Sequence, residues 1–234
     1  MSKQTTVRVR ARTTAAAGAA GAGEGRRERR KRQTRARLID AATRVIGRGG
    51  LGAATIATVT EAADVGFGTF YSYFSSLEEL LQEAVAQILA ALGESNDALV
   101  AGESDPAVAL AIGLRHTVGL AERDPATAAF AISLIHAGRR EPWEQLGRRM
   151  VRDLRRGFGA GRFRAAGGPV LTEMLSASVL AVMRGRFEGR LGPKAGEDLA
   201  AHALRLLGVE AEEAERIARQ PLPRVAPPAP ERSR

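Results

Sequence analysis

The chain of 234 residues contains no cysteine. That excludes structural disulfides, thiolate-bound zinc and a cysteine nucleophile. Aromatic residues are scarce at 4% of the chain, with a single tryptophan. No stretch reaches 18 apolar residues, so no bilayer-spanning helix is expected, and the N-terminal stretch lacks the apolar core of a secretory leader. Alternating apolar and polar runs of strand type are also missing. Nor is there a Walker-type Gly-x-x-x-x-Gly-Lys-Ser/Thr loop, a Gly-x-Ser-x-Gly elbow or a His-Glu-x-x-His pair. The segment Gly66 to Tyr71 has two glycines of a phosphate loop but Tyr71 where the third would stand. His116, His136 and His202 stand apart from one another. The expectation is a soluble, cytoplasmic protein that is not an enzyme, with no catalytic residue, no metal site, no cofactor and no membrane partner.

What is present is an uneven charge. The formal net charge is +9, yet residues 1–50 alone hold 14 Lys or Arg against Glu24, Glu28 and Asp40. All the positive excess therefore sits at one end. Within it, Arg26, Arg27, Arg29, Arg30, Lys31, Arg32, Arg35 and Arg37 place eight bases in twelve positions, a density suited to a polyanion such as nucleic acid.

Residues 1–25, rich in Ala, Gly and Thr, lack large apolar side chains and are expected to be a disordered tail. Residues 221–234 hold five prolines and are expected to be a second tail. Between them apolar residues recur at three and four. Leu38, Ala41, Ala42 and Val45 form one helical stripe ended by Gly49-Gly50, and Thr55 can cap a helix carrying Ile56, Val59 and Ala63. A short helical segment over Phe67 to Phe74 follows, and Ser76 with Glu79 opens a fourth helix bearing Leu77, Leu80, Leu81, Ala84, Val85, Ile88 and Leu92. Asp105-Pro106 and Asp124-Pro125 are further helix starts, with more helices near 142–158, 169–190 and 194–207. The stretch Val170 to Met183 has ten apolar residues in fourteen and one charge, so both its faces require cover. Either it is the central helix of a monomer, or it faces its own domain on one side and a second copy on the other. The second is the expectation, with Leu175, Val179, Val182, Leu199 and Leu206 as dimer contacts.

Five of the ten aromatic residues, Phe67, Phe70, Tyr71, Tyr73 and Phe74, fall within eight positions. A helix this short has too little circumference to bury five rings, so the tyrosines should reach solvent or a ligand. A helix, a short turn and a second short helix make a helix-turn-helix, which sets its second helix in the major groove of DNA. The residues Thr55-Ile56, Val65, Gly68-Thr69-Phe70-Tyr71, Tyr73-Phe74 and Leu80-Leu81 resemble the TetR family of bacterial transcriptional regulators over residues 34–90. The chain departs from the family pattern at Val59-Thr60, at Asp64 where glycine is usual, at Gly66 where serine is common and at Leu77 where many relatives carry lysine.

The resemblance implies an all-α fold: an N-terminal three-helix helix-turn-helix DNA-binding domain with its basic arm (26–75), then a C-terminal helical ligand-binding and dimerisation domain (76–220). It implies a repressor that binds a near-palindromic double-stranded operator as a homodimer and is released by a small-molecule effector. Arg29, Arg30, Arg32 and Arg35 of the arm, together with Thr55, Gly66, Phe67, Gly68, Thr69, Tyr71 and Tyr73, would contact DNA, Phe67 at base edges and the hydroxyls at phosphates. Phe130, Trp143, Met150 and Met174, with His116 or His136 as a polar contact, are the candidates for an effector pocket. The alternative is a basic protein that binds nucleic acid without regard to sequence, its C-terminal part a scaffold for oligomerisation.

Overall fold

The computed structural model describes residues 13–136, 141–164 and 168–223, with side chains described from residue 25 onward except at 134–146. Every regular element among them is helical. In chain order they are α1 (Thr13–Gly49), a 3-10 turn (Leu51–Ala53), α2 (Ile56–Ala62), α3 (Phe67–Phe70), α4 (Leu77–Leu99), α5 (Pro106–Val118) and α6 (Leu120–Arg123). There follow α7 (Pro125–His136), α8 (Glu141–Gly159), α9 (Pro169–Phe187), α10 (Ala195–Leu206) and α11 (Ala211–Ala218).

The helix starts follow from capping chemistry. Thr55 Oγ1 accepts from the Thr58 amide at 3.1 Å while Thr58 Oγ1 accepts from the Thr55 amide at 2.9 Å, a reciprocal box at the head of α2. Ser76 Oγ accepts from the Glu79 amide at 3.1 Å. The Glu79 carboxylate does not close that box. It turns to the amide and hydroxyl of Ser75, both at 2.7 Å, and these bonds hold it below the usual carboxylate range. Asp105 and Asp124 cap α5 and α7 ahead of their prolines.

The ends of the chain differ from expectation. The helix α1 begins at Thr13, so residues 13–25 belong to it instead of forming a tail. The physical reason is cooperativity: an Ala-rich stretch continuous with an established helix is extended by propagation, without a new nucleus. Residues 1–12 and 224–234 lie outside the described residues, and 221–223 are not helical. Two further short helices, α6 and α11, have no signal beyond a few small apolar residues; in α11 only Ala214, Ile217 and Ala218 are buried.

Two main cores result. The N-terminal head closes around Leu38, Ile39, Ala41, Ala42 and Ile46 of α1, Val59 of α2, Phe70 and Phe74, and Leu80, Leu81, Ala84, Val85 and Leu89 of α4. Phe130 of α7, an expected effector contact, completes this head core at 1% exposure. The head core thus draws on side chains beyond residue 75, from α4 and α7. Beside it α1 crosses α7 so closely that a Cβ on Gly47 would lie 2.8 Å from the carbonyl oxygen of Ala126. The body core joins α5, α8, α9, α10 and α11 through Leu110, Leu114, Leu154, Leu171, Leu175, Val179 and Leu204. A smaller cluster of Ala128, Ala131, Ile132 and Met183 joins α7 to α9.

Helix α9 covers only one of its apolar faces. Leu171, Leu175, Val179 and Met183 are buried, whereas Val170 is 72% and Met174 50% exposed, with Ala177 and Ala181 exposed on the same side. Of the residues expected at a dimer interface, Leu175 and Val179 lie in the chain's own core, Val182 packs half-buried against it and Leu199 is buried, whereas Leu206 is exposed. Both stripes of α9 have helical spacing, so periodicity alone does not separate inward from outward.

The histidine of α5 is a packing residue. His116 Nε2 faces the Ser95 hydroxyl of α4 at 2.9 Å, and Arg123 donates to the His116 carbonyl at 2.6 Å. Burial first, and then the charge of Arg123, lower the imidazole pKa to about 4. Because the folded ring resists protonation while the unfolded ring takes a proton near pH 6.5, stability contributed by the neutral ring is lost as pH falls from about 6.5 toward 4. Thermal denaturation between pH 7 and pH 4.5 is expected to show a smaller decline for His116→Gln than for the native chain; equal declines would remove His116 from the account.

Candidate nucleic-acid interface and internal cavity

The turn between α2 and α3 is built by a left-handed residue and two cations. Asp64, just beyond the end of α2, has φ +51°, a conformation that Asp tolerates better than most side chains. Glycine would suit this position, which explains how the departure at Asp64 is accommodated. Arg37 Nη2 donates to the carbonyls of Ala63 at 2.5 Å and Asp64 at 3.0 Å, and Arg44 Nη2 to that of Ala62 at 3.2 Å. Two guanidinium groups from α1 thus satisfy the carbonyl end of α2 and complement its dipole.

After the turn, Gly66 caps α3 with an extended backbone. The helix is four residues long, continued by a turn through Tyr73, and so is shorter than the eight expected. Phe70 and Phe74 anchor it at 0% and 1% exposure, while Phe67 and Tyr71, one helical turn apart, are each 55% exposed. Tyr71 packs edge-on against both Phe67 and Phe70, with centroids at 5.9 and 5.5 Å, so its hydroxyl is carried on a supported ring. Gly66 and Gly68 are exposed, and a Cβ added at Gly68 would meet nothing within 4 Å, so the backbone there is open to close approach. Thr69 and Tyr73 are half-buried, and Thr55 is exposed at the start of α2.

Arg35 does not serve the surface expected of it. It forks onto the Glu83 carboxylate of α4, donates through Nη1 to the Tyr73 carbonyl at 2.7 Å and lies 4.3 Å from the centroid of Phe74. The Glu83 hydrogen bond raises its pKa further above the usual value. This arginine fastens α1, the end of the reading segment and α4 together. Arg29, Arg30 and Arg32 are exposed on the turns of α1 that precede the head.

Between α4, α5, α8 and α9 lies a cavity of about 50 Å³. Leu110, Gly113, Leu114, Met150 and Val179 line it, with Asn96, Thr117, Arg149, Asp153 and Ser176 as polar wall residues. Asn96 Nδ2 donates to Thr117 Oγ1 at 3.3 Å, but its Oδ1 is buried without a partner among the described residues. Next to it, Asp97 pairs with Arg149 at 2.9 Å and Arg152 at 2.8 Å, and Arg152 also meets Asp153 at 2.9 Å. The Arg149 guanidinium rests on Gly93, where any Cβ would displace it. Of the expected effector residues only Met150 lines this cavity; His116 packs beside α4, and Met174 is on the exposed face of α9. The side chains of His136 and Trp143 lie outside those described. The missed residue with a legible signal is Asn96, a polar side chain in the register Leu92, Asn96, Leu99 of an otherwise apolar stripe.

Comparison with known proteins agrees with this geometry. The N-terminal family model described as bacterial regulatory proteins, tetR family, matches residues 38–84, and the tetracyclin repressor-like C-terminal domain matches residues 105–220. A crystal structure of RolR in complex with the ligand resorcinol is 32% identical, with a TM-score of 0.66, over 85% of this chain and 100% of that one. A fatty acid degradation regulator, FadR from Bacillus halodurans, shares the fold at 20% identity, with a TM-score of 0.64, over 74% of this chain and 93% of its own. The HTH-type nicotine-responsive transcriptional repressor HdnoR of Paenarthrobacter nicotinovorans is 37% identical over 71 residues, which are 30% of this chain and 37% of that repressor. Among the described residues no helix is long and apolar enough to cross a membrane, and no group of His, Asp or Glu could hold a metal ion. The two domain matches and the outward-facing α3 together place the chain in the TetR family of bacterial transcriptional regulators.

Proposed function

We propose that this chain is a repressor that binds a near-palindromic operator as a homodimer and is released by a small hydroxylated aromatic molecule. The observation that carries the DNA-binding half is the pose of α3, with Phe70 and Phe74 sealed inward and Phe67 and Tyr71 presented outward beside an open Gly68 backbone. Phe67 meets base edges, where an apolar ring can pack on a thymine methyl. Thr55, Thr69, Tyr71 and Tyr73, with the amides at the start of α3 near Gly66, meet phosphate oxygens and fix the register.

Dimerisation follows from the uncovered face of α9. Val170, Met174, Ala177 and Ala181 form a stripe of small and apolar residues that a second copy can cover by the same face, as two-fold symmetry requires. Two heads fixed in this way read two half-sites related by a dyad.

The effector reading rests on the cavity and on the likeness to RolR with resorcinol. A buried Asn96 Oδ1 lacking a donor suits a ligand hydroxyl, and the leucine, methionine and valine walls suit a ring. At about 50 Å³ the cavity is well below the roughly 150 Å³ that takes a benzene ring, so a ligand must move a wall. The wall least held by backbone is the Arg149 side chain. Displacing it removes one of the two pairs, Asp97 with Arg149 and with Arg152, that hold the far end of α4 to α8. Since α4 runs unbroken for about 35 Å into the head core, release at Asp97 permits the head to shift out of register with its half-site. A coupling of about 1–3 kcal/mol between ligand and DNA is ordinary for such an arrangement.

Tyr71→Phe is expected to weaken all duplexes alike by roughly 1–2 kcal/mol in a gel-shift titration, through loss of a hydrogen bond to charged phosphate; a loss confined to one base-pair substitution would contradict the phosphate role. Met174→Arg should yield folded monomers in sedimentation with little operator binding, and persistence of dimers would place the interface elsewhere. Resorcinol should raise the operator Kd of the native chain by on the order of tenfold and that of Asn96→Leu by less than about twofold; an undiminished response in the variant would sink the cavity as the effector site. Equal affinity for random and selected duplexes would favour the sequence-independent reading.

A further inference from the structure

We propose that residues 26–33 of α1 form a second DNA contact, a cationic arm that grips the duplex backbone outside the base-reading half-site without regard to sequence. This rests on the DNA-binding reading above and extends it to a segment that the family match, which begins at residue 38, does not reach.

Every residue from 26 to 33 is exposed, a stretch of more than two helical turns. The segment reads Arg26-Arg27-Glu28-Arg29-Arg30-Lys31-Arg32-Gln33 and contains no apolar side chain. Basic residues closer to the head are engaged internally: Arg35 with Glu83 and Tyr73, Arg37 and Arg44 with the end of α2. Arg27, Arg29, Arg30, Lys31 and Arg32 form no ion pair among the described residues. The run thus divides into cations that build the head and exposed cations, Arg27, Arg29, Arg30, Lys31 and Arg32, that pair with no described carboxylate.

The arrangement of the second group selects the partner. At 100° per residue, Arg27 and Lys31 lie on one side of the helix, Arg26 and Arg30 on another, and Arg29 and Arg32 on a third. An anionic bilayer favours a helix with one charged and one apolar face, and there is no apolar face here. A duplex carries about one charge for each 1.7 Å of its axis and presents phosphates on both walls of each groove, which suits charge on all sides. Like charges at i and i+4, Arg26 with Arg30 and Arg27 with Lys31, oppose this part of the helix, and phosphates relieve that repulsion. Continuity does the rest, because the same helix contributes Leu38, Ala41 and Ala42 to the head core and so holds the arm beside the DNA that the head reads. From residue 26 to 32 the rise is about 9 Å, or roughly three base pairs of extra contact on each side of the operator.

The test compares the full chain with a variant carrying Arg27→Gln, Arg29→Gln, Arg30→Gln and Arg32→Gln on two duplexes: the footprinted operator trimmed to its palindrome, and the same operator with six base pairs of arbitrary sequence on each side. The native chain should bind the flanked duplex about tenfold or more tightly than the trimmed one, whatever the flank sequence. The variant should bind both alike, and its log–log salt slope should be shallower by on the order of 0.9 for each phosphate that is no longer neutralised. Equal benefit from the flanks in both proteins, or a slope that does not change, would overturn the arm. So would arm-dependent binding to phosphatidylserine vesicles without any flank effect. Failure of the native chain to prefer the trimmed palindrome over random duplex would instead overturn the operator reading, and circular dichroism of the variant checks that the head remains folded.

Discussion

A helix of four residues cannot hold its own shape in water, because one turn does not repay its nucleation. The pose of α3, on which the proposed base reading would depend, is therefore imposed from outside. Phe70 and Phe74 supply the energy, each worth about 1.5–3 kcal/mol when fully buried. Arg35 supplies the geometry, joining α1, the Tyr73 carbonyl and the Glu83 carboxylate across the ring of Phe74. The Arg35–Glu83 pair is partly solvated and adds little stability by itself. Its planar fork nevertheless restricts how the end of the reading segment can turn. Arg37 and Arg44 do the same for the preceding turn, where Asp64 takes up a left-handed backbone.

Much of this is legible from residue order because the local rules agree with one another. Thr55, Ser76, Asp105 and Asp124 start helices where their side chains can accept from the first free amides. The aromatic cluster divides as circumference demands, two rings sealed and two outward. What is not legible depends on partners distant in sequence. Arg35 and Arg32 look alike in a basic run, and only Glu83, 48 residues away, distinguishes them. Leu175 and Met174 are neighbours on a helix with two apolar stripes, and the packing of α5 and α10 decides which faces inward. Phe130 has the character of a pocket residue in sequence, yet it is a core residue of the other domain because α7 crosses α1 at Gly47. The length of α1 escapes for a different reason: propensity weighs residues one by one, whereas propagation carries a helix through a stretch that would not start one.

The cavity is poised rather than open. Its two charged wall residues already have partners, Arg149 with Asp97 and Asp153 with Arg152. On the effector reading proposed above, a ligand entering here would trade one set of contacts for another instead of filling a void, so the two arrangements could lie within a few kcal/mol of each other, as a population shift requires. Gly93 belongs to the same device, since its missing Cβ is what lets the Arg149 guanidinium lie flat on α4.

Phe130 has a consequence for how such proteins can be recombined. Although two separate domain descriptions match the two halves of the chain, the head borrows this ring from the half to which it does not belong. A head excised at residue 84 would carry a phenylalanine-sized hole, and a hybrid joining it to a foreign body would inherit that hole unless α7 travelled with it. The smallest portable unit is thus discontinuous in sequence, and grafting experiments that cut where the domain boundary is usually drawn would sever a shared interior.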